Sequence, residues 1–246
     1  MSTDFVRDRM YGARARIGYT SPPMTTEVFP YEFYKLAPPG VTLVITTLAL
    51  TVRSSDELSQ SYDLSIKAAR EMAASKVDVI ILGGVPIAMS RGYANAEALL
   101  QSLETELGVP VASSASAIAK AIKVLGCKKA VVVHSRSSDR VVTTADTKRN
   151  YEVLGSVGLD IEFRQLGHVS RDTARDLGRQ ILKKYPDADT IMFGSPHWPV
   201  MEAIEPLERE FGVTVLSSIQ AILWEGMRRA GVDDRLSNCG RLLRDF

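Results

Sequence analysis

A nine-residue string occurs twice in this chain. Glu106-Leu107-Gly108-Val109-Pro110-Val111-Ala112-Ser113-Ser114 returns as Glu210-Phe211-Gly212-Val213-Thr214-Val215-Leu216-Ser217-Ser218. Downstream, Ala117-Ile118 matches Ala221-Ile222. Upstream, Asp78-Val79-Ile80-Ile81-Leu82-Gly83-Gly84 matches Asp189-Thr190-Ile191-Met192-Phe193-Gly194-Ser195. The connection between these matches is seven residues longer in the first half. Duplication implies two similar halves, 1–126 and 127–246, related by a pseudo-two-fold axis. Strand and helix patterns alternate along both, which favours parallel sheets with right-handed crossovers. The expected fold is therefore α/β, with two pseudo-symmetric halves, each a parallel sheet flanked by helices, and an active-site cleft between them.

The individual elements follow from pattern. Arg16 to Thr20 reads as a strand, and Ser21-Pro22-Pro23 as a loop, because proline cannot continue a ladder. Thr42 to Thr47 is a β-branched run suited to a doubly covered strand. Ser54 or Ser55 caps a helix whose apolar face is Leu58, Tyr62, Ile66, Ala69 and Met72. A strand over 77–82, a helix over 94–107, a strand over 109–111 and a helix over 115–125 complete the first half. Gly126 stops that helix. The second half reads as a strand over 128–133, a helix from about Ala145 to Leu154 stopped by Gly155, and a strand over 161–164. A helix over 172–184, a strand over 190–193, a helix over 201–210, a strand over 213–215 and a helix ending at Arg229 follow. The tail with Cys239 carries no assignment.

Composition narrows the function. The chain has 246 residues, 30 basic and 29 acidic, for a net charge of +1. No strong field or basic stripe invites nucleic acid or an anionic membrane. No apolar run approaches the ~20 residues of a membrane span, and the charged N-terminus does not resemble a signal peptide. The expected location is cytoplasmic. Cys127 and Cys239 are the only cysteines; without a CxxC or Cys/His cluster they argue against a disulfide framework and a structural zinc site. No metal and no cofactor are expected.

Chemistry concentrates where strands end. Phe193-Gly194-Ser195-Pro196-His197-Trp198-Pro199 links a strand to a helix, the carboxyl edge at which open α/β sheets bind ligands. Ser195 is a candidate nucleophile or proton donor and His197 a candidate base, imidazole titrating near neutrality; the alternative is that they only shape the turn. No Gly-x-Ser-x-Gly elbow is present. Gly84 occupies the matching place in the first half. His134, Ser135 and Arg136 end another strand, where Arg136 offers a planar fork to a carboxylate. Ser21, Thr25 and Thr26 can hold carboxylate oxygens, while Glu27 and Tyr31 are candidate acid/base groups or packing residues. Ser113-Ser114 and Ser217-Ser218 cap helices. His168 reads as a surface residue, and Trp198 and Trp224 as packing residues.

These residues resemble the aspartate/glutamate racemase superfamily, and most of all its maleate isomerase and arylmalonate decarboxylase branch. The resemblance spans nearly the whole chain: Ile17-Gly18 with Pro22-Pro23, Leu82-Gly83-Gly84 before Ser90-Arg91-Gly92, Gly108-Val109-Pro110, Ala203 to Arg209, Val215 to Ser218, and Gly240-Arg241-Leu242-Leu243. It implies two cofactor-free catalytic positions, one per half. Racemases and maleate isomerases resemble one another in placing cysteine at both; arylmalonate decarboxylases keep only the second, with glycine at the first. Here the positions fall on Gly84 and Ser195, so both cysteines are lacking. Val85-Pro86 stand where decarboxylases carry small hydroxyl residues, and Arg136 stands at their pocket tyrosine. A thiol titrates near ~8.5, whereas a serine hydroxyl needs an adjacent base.

The expectation is a cofactor-independent enzyme on a small carboxylate, catalysing decarboxylation, cis-trans isomerisation or racemisation-type proton transfer. Ser195, His197 and Gly84 form its catalytic set. Ser21, Pro22, Thr25, Thr26, Val85, Pro86, Arg136, Gly194 and Pro196 surround the substrate. Two alternatives are a serine-dependent hydrolase or lyase, and a non-catalytic carboxylate binder. The sequence leaves self-association into a homo-oligomer open.

Overall fold

The structure is a computed structural model that describes residues 11–23, 26–51, 54–84, 93–135, 151–159 and 161–246. The chain forms two compact units. The first takes Met1–Thr26, Phe33–Ala117 and Ile222–Asp234; the second takes Glu27–Glu32, Ile118–Ala221 and Arg235–Phe246.

The first unit holds β1 (Ala15–Pro23), β2 (Val41–Leu50), β3 (Val79–Leu82) and β4 (Val111–Ser113) in one parallel sheet of order β2-β1-β3-β4. Helices α1 (Val28–Leu36), α2 (Ser55–Ala74), α3 (Tyr93–Leu107) and α4 (Ser114–Leu125) lie between these strands in the chain and follow the last of them. Ala69, Met72, Val77, Ile80, Leu82, Leu103 and Val111 form a buried cluster. Burying each large aliphatic chain of this kind contributes roughly 1.5–3 kcal/mol. Ser54 caps α2, its side chain accepting from Glu57 N at 3.2 Å. The fully buried stripe of α2 is Ser61, Ser65, Ala68, Ala69 and Met72, rotated from the expected face. Leu58, Tyr62 and Ile66 are half-buried, because the sheet accepts small residues at closest approach.

The second unit repeats the arrangement. β5 (Lys129–His134), β6 (Glu152–Gly158), β7 (Thr190–Phe193) and β8 (Thr214–Ser217) form a parallel sheet of order β6-β5-β7-β8. Helices α5 (Thr173–Lys184), α6 (Met201–Phe211), α7 (Ser218–Arg229) and α8 (Gly240–Asp245) complete the chain order, α7 belonging to the first unit from Ile222 onward. The α/β class and the two helix-flanked parallel sheets are as expected. Helices α5 and α6 meet closely: a Cβ on Gly178 would lie 2.5 Å from Leu207 Cδ1.

The repeat extends to hydrogen bonds that the string match does not show. Asp78 Oδ2 accepts from Arg16 N at 2.7 Å, and Asp189 Oδ2 from Lys129 N at 2.9 Å. Glu104 Oε2 accepts from Val111 N at 3.1 Å, and Glu208 Oε1 from Val215 N at 3.2 Å. Ser114 Oγ donates to Leu82 O at 3.4 Å, and Ser218 Oγ to Phe193 O at 3.3 Å.

Three expectations are corrected. β1 continues through Pro23, where a loop was expected after Thr20. Its pairing with β3 ends at Thr20, and after a bulge between Ser21 and Pro23 the strand stays on β2, with Pro23 opposite Leu50. Residues 152–154 belong to strand β6, not to a helix ending at Leu154. Gly155 lies inside that strand and stops nothing. A Cβ there would lie 2.4 Å from the Tyr185 ring, a close approach of the kind that places glycine in strands. Residues 163–168 form a 3-10 helix where a strand over 161–164 was expected. Glu162 and Gln165 exchange side-chain and backbone bonds in a capping box that the apolar pattern conceals.

Candidate functional site

The turn after β7 is built by its neighbours. Val133 and Ser217 flank Phe193 in register, so the ends of β5, β7 and β8 meet at one edge. Gly194 N donates to Val133 O at 2.8 Å. The fully buried Trp198 indole N–H donates back to Gly194 O at 2.8 Å, and its ring lies 6.0 Å from Phe193. Trp198 is thus a staple across the turn, consistent with its packing role. The chain can close so tightly because Ser195 adopts φ +67°, in the left-handed region. A serine held there costs of order 1–3 kcal/mol and survives only when its surroundings over-determine it.

Ser195 Oγ is buried and finds no hydrogen-bond partner among the described residues, the His134 and His197 imidazoles included. An unsatisfied buried hydroxyl costs about 1–3 kcal/mol. Two unfavourable features therefore coincide on one side chain. His197 is buried at 7% exposure, its ring 6.1 Å from Phe29 of α1. The pre-formed Ser195–His197 hydrogen bond of a resting nucleophile–base pair is not present. Pro196 is buried beside them and Gly194 is half-buried. His134 borders the same turn: a Cβ on Gly194 would lie 3.7 Å from His134 Cβ. At the adjacent strand end, Ser217 and Gln220 form a reciprocal cap. Ser217 N and Oγ donate to Gln220 Oε1 at 2.8 and 3.0 Å, and Gln220 Nε2 donates to Cys239 O at 2.6 Å.

The corresponding edge of the first unit is built from hydroxyls. Thr20 Oγ1 accepts from Gly83 N at 2.9 Å and lies 3.2 Å from Ser65 Oγ. Gly84 takes φ +85°, matching Ser195 in hand. Ser21 is fully buried and its Oγ has no partner among the described residues; Pro22 is buried beside it, and Thr26 is half-buried. Burial holds the Tyr19 phenol well above its ordinary range, and the Ser114 hydroxyl opposes the shift. Ser113 and Ser116 cap α4 reciprocally. Thr25, Val85, Pro86 and Arg136 lie outside the described residues.

Other candidates sort plainly. Tyr31 is 61% exposed, and Glu27 lies against the backbone of Gly167. His168 is exposed, as expected. Burial pushes the Cys127 thiol up to about 11 and also raises that of Cys239, so neither is primed for chemistry. Among the described residues, no group of three or more His, Cys, Asp or Glu is placed to hold a metal, and no helix is long and apolar enough to cross a membrane.

A family model described as arylmalonate decarboxylase matches residues 17–243. The chain belongs to that family. It is 25% identical to the arylmalonate decarboxylase of Bordetella bronchiseptica over 183 residues, which cover 70% of this chain and 75% of that protein. It is 24% identical to the maleate isomerase of Geobacillus stearothermophilus over 198 residues, covering 77% and 78%. In fold it is similar to a crystal structure of a doubly substituted arylmalonate decarboxylase in its liganded form, at TM-score 0.82 and 24% identity, with 93% of this chain and 98% of that one covered. These relatives are a decarboxylase and an isomerase named for small carboxylates.

Sequence reasoning missed two contributors to the Ser195 turn. Gln220 was legible as the last residue of a Ser-x-x-Gln capping box at 217–220. Glu32 was not, because it acts on residues 168 and 169 positions away.

Proposed function

We propose that this protein is a cofactor-independent enzyme acting on a small carboxylate, with Ser195 standing where the family's cysteine stands. The reaction is decarboxylation, cis-trans isomerisation or racemisation-type proton transfer at carbon. One observation carries this reading: a hydroxyl held buried, unpartnered and in a left-handed backbone at the carboxyl edge of a parallel sheet. A side chain kept at such cost marks a working position. Ser195 and His197 handle the proton in this reading, and Gly84 leaves room for substrate. Ser21, Thr25, Thr26 and Arg136 hold carboxylate oxygens; Pro22, Val85, Pro86, Gly194 and Pro196 shape the surroundings. The orphan hydroxyls of Ser21 and of Ser195 each support it, since a buried donor without a partner is one that a ligand oxygen can satisfy.

Turnover assays on arylmalonates, maleate and amino acids, read by carbon dioxide release and by proton NMR, test the reading. At least one acid is expected to turn over, with Ser195→Ala lowering kcat/KM at least about 100-fold, the scale of a lost proton-transfer group. A folded Ser195→Ala variant with full activity would sink it. A second reading, a carboxylate binder without turnover, is favoured by the missing Ser195–His197 bond. It predicts a thermal shift with the same acids and no product.

A further inference from the structure

The turn that carries Ser195 and His197 leads into α6, and α6 begins without a cap of its own. Its N-cap residue is Val200, with φ −130° and no side-chain oxygen to offer. The first backbone N–H groups of a helix have no intrahelical acceptor and normally take one from the N-cap side chain. Here Glu32 supplies it from α1. Its Oε1 accepts from Val200 N at 2.8 Å and Met201 N at 3.0 Å, and the side chain is buried, at 4% exposure. A carboxylate also suits the positive end of the helix dipole. Three residues earlier on the same helix, Phe29 faces the His197 ring. Residues three apart share a helix face, so one face of α1 touches the turn at His197 and at its exit.

We infer that Glu32 is a positioning residue: by capping α6 across the sequence it holds the 194–200 turn in the conformation that keeps Ser195 left-handed and its hydroxyl buried. The inference rests on the reading of Ser195 as the working group, but it is read out at the turn itself and needs no substrate.

The test places a reporter thiol with Ser195→Cys and follows its alkylation by iodoacetamide with peptide mapping, so that Cys127 and Cys239 are read separately. Adding Glu32→Ala is expected to speed alkylation at position 195 at least tenfold, with the Cys239 rate unchanged. Adding Glu32→Gln, whose amide oxygen can still accept both N–H groups, is expected to keep the parent rate within about threefold. Leu182→Ala, a core change in α5 chosen to match the loss in Tm, is expected to leave position 195 at the parent rate. Hydrogen exchange at Val200 and Met201 is expected to quicken only where the acceptor is removed. If Glu32→Ala does not fold, Glu32→Asp, one methylene shorter, takes its place with the same expectation. Equal rates at position 195 with Glu32 and with Glu32→Ala, or the Glu32→Asp that replaces it, would overturn the inference. So would a tenfold rise in Glu32→Gln or in Leu182→Ala. Absence of turnover with every acid would sink the proposed function while leaving these rates to decide the role of Glu32.

Discussion

The turns after β3 and β7 have matching sequences, matching strand ends and the same backbone hand, yet they are held differently. After β3, Gly83 has no room for a side chain, a Cβ there lying 1.9 Å from Thr20 O. Its N–H is taken by the Thr20 hydroxyl, and the left-handed position goes to Gly84, where it costs least. After β7, Gly194 is roomy, its nearest neighbour being 3.7 Å from a would-be Cβ. Its N–H bonds backbone Val133 O, and the left-handed position carries a serine. At Gly83 the first turn leaves no room for a side chain. The second accepts strain in order to present one. Within a duplicated fold, that difference is what supports the proposal that chemistry belongs to the second turn.

Substitution at the paired glycines tests this contrast most severely. Gly83→Ala is expected to destabilise by about 3 kcal/mol, the size of an overpacking clash with backbone. Gly194→Ala is expected to cost less than about 1 kcal/mol. Urea denaturation of the two variants measures the difference, and equal losses would erase the contrast. The caps come next. Gln220→Ala removes a fully buried amide that serves Ser217 and Cys239 and is expected to cost about 2–3 kcal/mol. Ser116→Ala, in the half-buried equivalent, is expected to cost about 1 kcal/mol. Smaller still is the direct exchange at the left-handed position. Ser195→Gly is expected to raise stability by about 1 kcal/mol while abolishing turnover, and Gly84→Ala to lower stability by a similar amount. A pH-dependent effect marks the packed thiol. Burial pushes Cys127 up to about 11, above the ~8.5 of an exposed thiol, so the unfolded chain loses this proton first as pH rises. Its contribution is whole below about pH 8.5 and fades between there and pH 11. Urea midpoints taken across that window are expected to fall less steeply in Cys127→Ala.

Much of this was legible in the sequence where information is local. The repeated string announced two like units, and the Gly194-Ser195-Pro196 run announced a strand-to-helix turn. Ser54 and Gly126 marked helix ends as capping rules require. Failures came where a distant group decides. Gly155 reads as a helix stop until the Tyr185 ring is seen against it. Pro22 and Pro23 read as loop until β1 is seen to have shed its β3 partner before reaching them. The cap on α6 has no signature near residue 200, because the residue that provides it is Glu32. At the site itself, sequence named Ser195 and His197 but not their geometry: two residues of spacing in a turn permits a bond that this backbone does not make.

The strain at Ser195 resides in the main chain, not in what the chain displays. Any side chain of similar bulk would bear the same burden there, and serine differs from cysteine by a single atom. The scaffold should therefore be nearly indifferent to an exchange of oxygen for sulfur, leaving such a lineage free to drift between weakly and strongly nucleophilic versions of one architecture without first rebuilding it.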